Sequence, residues 1–456
     1  MSQPGKVVVI GAGSSGISSC QVLNARGIDF DCFEIGSKVG GNWRYENDNG
    51  MSAAYRSLHI NTSRRTMAYA SYPMPEDLPD YPNHFQIAQY FDDYVDHFGF
   101  RDRIRFRTEV THVEPEGDGW RVSWKDLESR DEGQKAYESV IVANGHHWNP
   151  RWPEPAFEGQ DSFAGEQIHV HSYKEPDVMR GKRVMVLGIG NSATDLAVEA
   201  SRNADETFLA MRRGAWIVPK YVGGRPTDEL APDLLSRLPL SVQRFLLGRT
   251  LIKATGMPMD YGLPEPDHKI AHAHPTVSSD LLPRLGHGDI TVKPNITRFS
   301  GGRNVEFEDG TSEELDLIIY CTGYKITFPF FDEALLDAPD NRIPLYRRVV
   351  HPELKGLFFV GLLQPLGAIM PLAEAQSEWV ADLLEGKAEL PSTNRMREVI
   401  KREDARMAKR YVASKRHTIQ VDFLPYMRAI ARERRGGFLG RIRATRAREL
   451  LGSSGN

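Results

Sequence analysis

Cysteine is scarce. Only Cys20, Cys32 and Cys321 occur in 456 residues, and no two of them form a C-x-x-C pair. This argues against dithiol redox chemistry and fits a reducing compartment, so a cytoplasmic location is expected. The three thiols read as buried small hydrophobes. Long apolar runs are also missing: no stretch reaches the roughly eighteen residues that a membrane span requires. No basic-then-apolar leader precedes the first apolar run, Val7-Val8-Val9-Ile10, so no secretory signal is expected. Neither sign of charge dominates. The net charge is −4, which gives no reason to expect a nucleic-acid partner. His268, His272 and His274, with Asp267 beside them, lack an accompanying cysteine and fit no standard zinc spacing, so no metal is expected.

What is present is a chain too long for one core, so two domains are expected, with an additional small element allowed. Lys6 to Ile10 reads as a buried strand and is followed by Gly11-Ala12-Gly13-Ser14-Ser15-Gly16, a G-x-G-x-x-G. Ile17, Cys20 and Leu23 then keep helical spacing until Gly27, and Phe30 to Glu34 forms the next strand. Glu34 lies 18 residues beyond Gly16. Strand, glycine turn, helix, strand and acid together describe a dinucleotide site. The glycines let the backbone approach a pyrophosphate, and the helix N-terminus offers N–H groups and partial positive charge. Glu34 would accept ribose hydroxyls and repel a 2′-phosphate, which suits FAD or NAD and not NADP. An ordinary tight turn is the competing explanation for the glycines, and the complete context weighs against it.

A second unit follows. Arg183 to Leu187 is an apolar strand, Gly188-Ile189-Gly190-Asn191-Ser192-Ala193 is a G-x-G-x-x-A, and Leu196, Ala197 and Ala200 mark a helix. The next strand, Thr207 to Met211, delivers Arg212-Arg213 where the first unit delivers an acid. Guanidinium groups there suit the 2′-phosphate of NADP; solvated arginines at a strand end are the plainer alternative. The first site is therefore expected to take FAD and the second NADPH.

Two such units resemble the flavoproteins with two dinucleotide-binding domains, a superfamily that includes disulfide reductases and monooxygenases. Gly40-Gly41-Asn42-Trp43 looks like the GG-x-W flavin contact of flavin-containing monooxygenases. Leu58-His59-Ile60-Asn61-Thr62-Ser63 is similar to the segment that brings an asparagine to the flavin in that family. Phe163 to Lys174 fits its fingerprint F-x-G-x-x-x-H-x-x-x-Y/F, with Phe163, Gly165, His169 and Tyr173 at the fixed positions. Ala143-Asn144-Gly145 and Cys321-Thr322-Gly323 resemble the turns that join the two domains, the former with Asn where relatives have Thr. Leu357 to Gly361 and the helix carrying Gln376 resemble the returning flavin-domain elements.

The resemblance implies an α/β fold of two Rossmann-like domains, with the NADPH domain inserted into a split FAD domain. Expected bounds are 1–150 and 316–456 for the FAD domain and 151–315 for the NADPH domain, the latter with an irregular insertion at 221–283. It implies flavin contacts from Gly11, Gly13, Ser15, Gly16, Glu34, Gly41, Asn42, Trp43, His59, Asn61, Thr62, Val110 and Gln376, and NADPH contacts from Gly188, Gly190, Asn191, Ser192, Arg212 and Arg213. Asn61 and Tyr173 are the expected catalytic pair. Asn61 would hydrogen-bond a C4a-(hydro)peroxyflavin, formed when NADPH-reduced FAD meets O₂, whose distal oxygen passes to a soft nitrogen or sulfur of a small organic substrate. Tyr173 and Lys174 would contact NADPH or set the domain hinge. Baeyer–Villiger relatives carry Trp at the position of Tyr173, which favours heteroatom oxygenation; ketone oxygenation and a flavoprotein that senses NADPH without turnover are the alternatives. The missing C-x-x-C excludes a disulfide reductase.

Within 221–283, Leu238 to Thr255 is an apolar helical candidate, read as part of a packed insertion and alternatively as a channel cap or membrane-leaning surface. His146-His147 read as local hydrogen bonders. From Arg428 to Arg448 there are eight arginines and one acid, Glu433, read as a solvated or salt-bridged tail, with lipid contact as the alternative. A homodimer is left open.

Overall fold

The structure is a computed structural model that describes residues 6–230, 240–270, 275–410 and 418–435. The chain opens with β1 (Val7–Ile10), α1 (Ser14–Ala25), β2 (Phe30–Phe33), α2 (His84–Phe98), β3 (Ile104–Arg105) and β4 (Ser139–Val142). It continues through β5 (Asn149–Pro150), β6 (Glu166–His169), β7 (Arg183–Leu187), α3 (Asn191–Asn203), β8 (Glu206–Ala210), α4 (Leu240–Thr255) and β9 (Thr291–Lys293). It closes with β10 (Leu317–Tyr320), β11 (Tyr324–Lys325), β12 (Leu357–Phe359), α5 (Met370–Leu384) and α6 (Phe423–Arg434).

Two five-stranded sheets organise these elements, in the orders β12-β4-β1-β2-β3 and β9-β8-β7-β10-β6. Every pairing within them is parallel. Parallel sheets are covered on both faces, which is why their strands are continuous apolar runs. In β1, Val7 and Val9 enter one core cluster with Ile17 and Leu23 of α1, while Val8 and Ile10 enter another with Trp120 and Phe359. In β7, Val184 and Val186 pack with Leu196 and Ala197 of α3, and Met185 and Leu187 pack against the opposite face. All four β1 side chains are buried.

The first sheet is assembled from both ends of the sequence, since β12 pairs with β4 in register Leu357 to Val140. Two strands of connecting chain, β5 and β11, pair antiparallel between the units, and Arg151 N–H donates to Gly323 C=O at 2.9 Å. The expected boundary at 316 needs correction: β10 lies inside the second sheet, between β7 and β6. Its all-apolar run, Leu-Ile-Ile-Tyr, would satisfy either sheet, so composition could not assign it. The chain returns to the first unit only after Tyr320.

The expected helix at Leu238 to Thr255 is observed over Leu240–Thr255. Among the described residues no helix is long and apolar enough to cross a membrane. In the basic tail, Arg434 pairs with Glu378 and Asp382 of α5; the arginines beyond Arg435 lie outside the described residues, as do His272 and His274.

Candidate active site

The two glycine turns are built alike. Gly11 has φ +97°, and a Cβ there would stand 2.8 Å from Ala143 O in the first connecting turn. Gly188 has φ +136°, and a Cβ there would stand 2.8 Å from Cys321 O in the second. Each turn leads into a helix capped by a glycine, Gly13 before α1 and Gly190 before α3, that offers no side-chain cap. First-turn N–H groups at both helices therefore depend on a ligand or water, the condition for an anion site. Gly16 does not line the cavity; its Cβ would fall 1.8 Å from Gly11 O, so its requirement is close packing of helix on turn.

One cavity of about 1330 Å³ runs along both turns. It is lined by Gly11, Gly13, Ser15, Glu34, Gly41, Asn42 and Trp43 at the first turn, and by Gly188, Gly190, Asn191 and Ser192 at the second. Arg212 and Arg213 line it at the end of β8, and Val110 lines it from the strand Thr108–Glu116, which pairs antiparallel with Gly119–Asp126. His59, Asn61 and Thr62 line it from the loop that precedes the helical turn Arg64–Met67. A long cavity with two uncapped helix N-termini fits two dinucleotides.

Glu34 is buried, and its carboxylate takes N–H donors from Ala12 at 2.7 Å and Gly36 at 2.8 Å. Burial raises its pKa against those bonds. At the second turn the structure gives Asp267 a contact that sequence reasoning missed. Asp267 approaches Arg213 at 3.6 Å and accepts from His268 Nδ1 at 2.8 Å if that nitrogen is protonated. Both line the cavity, so Arg213 has a carboxylate beside it that is supplied by the insertion.

Besides Gly16, two more expected site residues lie outside the cavity lining. Tyr173 is 1 % exposed, outside the cavity lining, and its hydroxyl donates to Glu199 of α3 at 2.9 Å. Burial and that carboxylate push its pKa upward. It packs in the core of the second unit with Tyr55, which corrects its expected catalytic placement. Gln376 is fully buried behind the loop at Gly361, where it accepts from Gly361 N at 2.8 Å and donates to Tyr426 at 2.6 Å. It shapes the loop that meets Ser15 without lining the cavity itself. Lys174 donates to Ser52 O, Ala54 O and His171 O at 2.8, 3.3 and 3.2 Å, a tether between the fingerprint segment and the loop carrying Ser52 and Ala54. His169 is buried and held down to about 4 by that burial.

Residues 4–435 match the family described as flavin-binding monooxygenase-like. The chain belongs to this family. Among its relatives is flavin-containing monooxygenase 5 of Oryctolagus cuniculus, 37 % identical over 440 residues, with 93 % of this chain and 82 % of the relative covered. Among solved structures, S-allyl-L-cysteine S-oxygenase from Allium sativum superposes with TM-score 0.72 at 25 % identity, covering 99 % of this chain and 94 % of that one. OTEMO in complex with FAD and NADP superposes with TM-score 0.70 at 18 % identity over 95 % and 98 % of the two chains, which shows the shared fold. The protein is thus a flavin-dependent monooxygenase that uses FAD and NADPH, with O₂ and a small molecule as its other reactants.

Proposed function

We propose that the protein oxygenates a soft nucleophilic nitrogen or sulfur atom of a small organic substrate. The observation that carries this reading is that Asn61 lines the same cavity as both glycine turns. FAD, when bound, supplies the redox chemistry: it takes hydride from NADPH and activates O₂. The chain's own contribution is to bind, orient and exclude water, since the activated oxygen otherwise escapes as H₂O₂. Gly11, Gly13 and Ser15 receive the FAD pyrophosphate, and Glu34 accepts its ribose hydroxyls. Gly41, Asn42, Trp43, His59, Thr62 and Val110 line its remaining length. Gly188, Gly190, Asn191 and Ser192 receive the NADPH pyrophosphate, and Arg212 and Arg213 its 2′-phosphate. Asn61 offers a neutral amide donor where negative charge develops on oxygen.

An S-oxygenase among the superposed structures supports the heteroatom reading over ketone oxygenation. On this reading the FAD domain comprises residues 1–150 and the chain beyond the second connecting turn. The unpaired thiols of Cys20, Cys32 and Cys321 support a cytoplasmic location. The test is product analysis with matched tertiary-amine, sulfide and ketone substrates. N-oxide or sulfoxide in step with NADPH oxidation is expected; ester formation as the dominant reaction would overturn the proposal.

A further inference from the structure

Asn61 stands on a loop that its own unit does not hold alone. The segment following Ile217–Val218 belongs to the second unit, where that strand pairs with Thr276–Val277. It crosses to the first unit as a short hairpin, Tyr221–Val222 against Arg225–Pro226. Gly223 and Gly224 turn it at φ +57° and +76°, the two consecutive positive angles that glycine supplies in a tight hairpin. The hairpin ends in two feet. Lys220 Nζ donates to Ile60 O at 3.1 Å, and Asp228 Oδ2 accepts from both Ser63 N at 2.9 Å and Ser63 Oγ at 2.8 Å. Ile60 and Ser63 flank Asn61 and Thr62.

The remaining contacts fix the feet. Tyr81 OH donates to Lys220 O at 2.5 Å, and the Lys220 ammonium lies 4.9 Å from the Tyr81 ring centroid. Lys220 N accepts no freedom either, since it donates to Ser279 Oγ at 3.0 Å on the second unit. Thr227 N donates to Lys220 O at 2.9 Å, joining one foot to the other. Tyr221 OH donates to Asp80 at 3.0 Å on the neighbouring loop. Ser63 is fully buried, so removing its acceptor leaves its N–H without a partner and its hydroxyl with Thr66 Oγ1 alone, at 3.2 Å.

We propose that Lys220 and Asp228 are positioning residues for Asn61: the nucleotide-binding unit reaches across to grip both sides of the asparagine, so its amide is in register only when the two units are docked. This rests on the reading of Asn61 given above. It assigns the start of the 221–283 insertion a role in oxygen transfer, beyond packing. Loss of a foot should let the amide drift while the NADPH site, held by α3 and β8, stays intact.

The test is a comparison of holoenzyme variants by two readouts: anaerobic flavin reduction by NADPH, and H₂O₂ released per NADPH oxidised with a sulfide substrate. Asp228→Ala and Lys220→Met should reduce flavin at the native rate yet raise the H₂O₂-to-product ratio roughly tenfold, within what small displacements of catalytic groups cost. Asp228→Asn, which keeps an acceptor oxygen, should recover part of that coupling. The double variant Asn61→Ala/Asp228→Ala should leak no more than Asn61→Ala alone, because a positioning residue has nothing left to position. Should Asp228→Ala fail to retain FAD, Ser63→Ala removes one of the two bonds and Lys220→Met tests the other foot. If Asn61→Ala uncouples while Asp228→Ala, Ser63→Ala and Lys220→Met stay coupled, the positioning role is overturned and the reading of Asn61 stands. If Asn61→Ala itself stays coupled, that reading fails and the positioning role with it. A purely structural role would lower thermal stability without moving the ratio.

Discussion

The backbone N–H of Ala12, inside the first glycine turn, donates to the carboxylate of Glu34 at 2.7 Å. The acid just after β2 therefore braces the first glycine turn, and Gly36 N–H engages its other oxygen at 2.8 Å.

Truncating Glu34 should consequently loosen that turn, beyond any loss of the proposed ribose contact. Glu34→Ala leaves two backbone N–H groups without their acceptor, at a cost of about 1–3 kcal/mol each where buried. On heating, FAD fluorescence should appear at a lower temperature than in the native enzyme. Glu34→Gln, which keeps one acceptor oxygen, should fall between the two. Unchanged flavin release in Glu34→Ala would contradict the bracing role.

Asp267 lies 3.6 Å from Arg213, and on the proposed reading it would compete there with the cofactor phosphate. Exposed ion pairs are worth up to about 1 kcal/mol, so Asp267→Asn should lower KM for NADPH by at most roughly fivefold and leave kcat unchanged. KM for NADH should move little. Arg213→Ala should raise KM for NADPH more than for NADH. Steady-state rates with both cofactors measure this, and an equal change for the two would remove Arg213 from the phosphate site.

Asp195 of α3 accepts Tyr55 OH at 2.5 Å, and burial pushes its pKa up to about 6 against that bond. The protonated form is thus favoured by folding. Its contribution to stability is complete below the ordinary value of 3.8 and is lost as pH rises through about 6. Asp195→Asn, which cannot ionise, should lack this component. The difference in Tm between variant and native enzyme should grow in the variant's favour from pH 4 to pH 7, by an amount on the order of 2 kcal/mol in stability. A difference independent of pH would contradict the shift.

Much of this architecture was legible in the sequence because its causes are local. Continuous apolar runs such as Val7 to Ile10 announce strands buried on both faces, Gly16 is demanded by the approach of Gly11 O within its own turn, and Gly11 and Gly188 carry the positive φ of a G-x-G turn. The sheet membership of Leu317–Tyr320 was not legible, since an apolar run carries no label for its sheet. Nor was the inward turn of Tyr173. A fingerprint fixes which segment is present, while the side chain's direction follows from the strand and helix it packs against. Asp228 on Ser63 and Asp267 on Arg213 join segments remote in the chain, and an isolated aspartate in a Pro- and Gly-rich stretch gives no sign of its partner.

The most direct measurement follows isotopically labelled O₂ into product per NADPH oxidised, for native enzyme and Asn61→Ala with a sulfide substrate. The native enzyme should place one labelled oxygen in the sulfoxide for each NADPH it consumes, and Asn61→Ala should divert the label to H₂O₂. Equal labelling by the two enzymes, or label that never reaches the sulfur of the native enzyme's substrate, would contradict the proposed function.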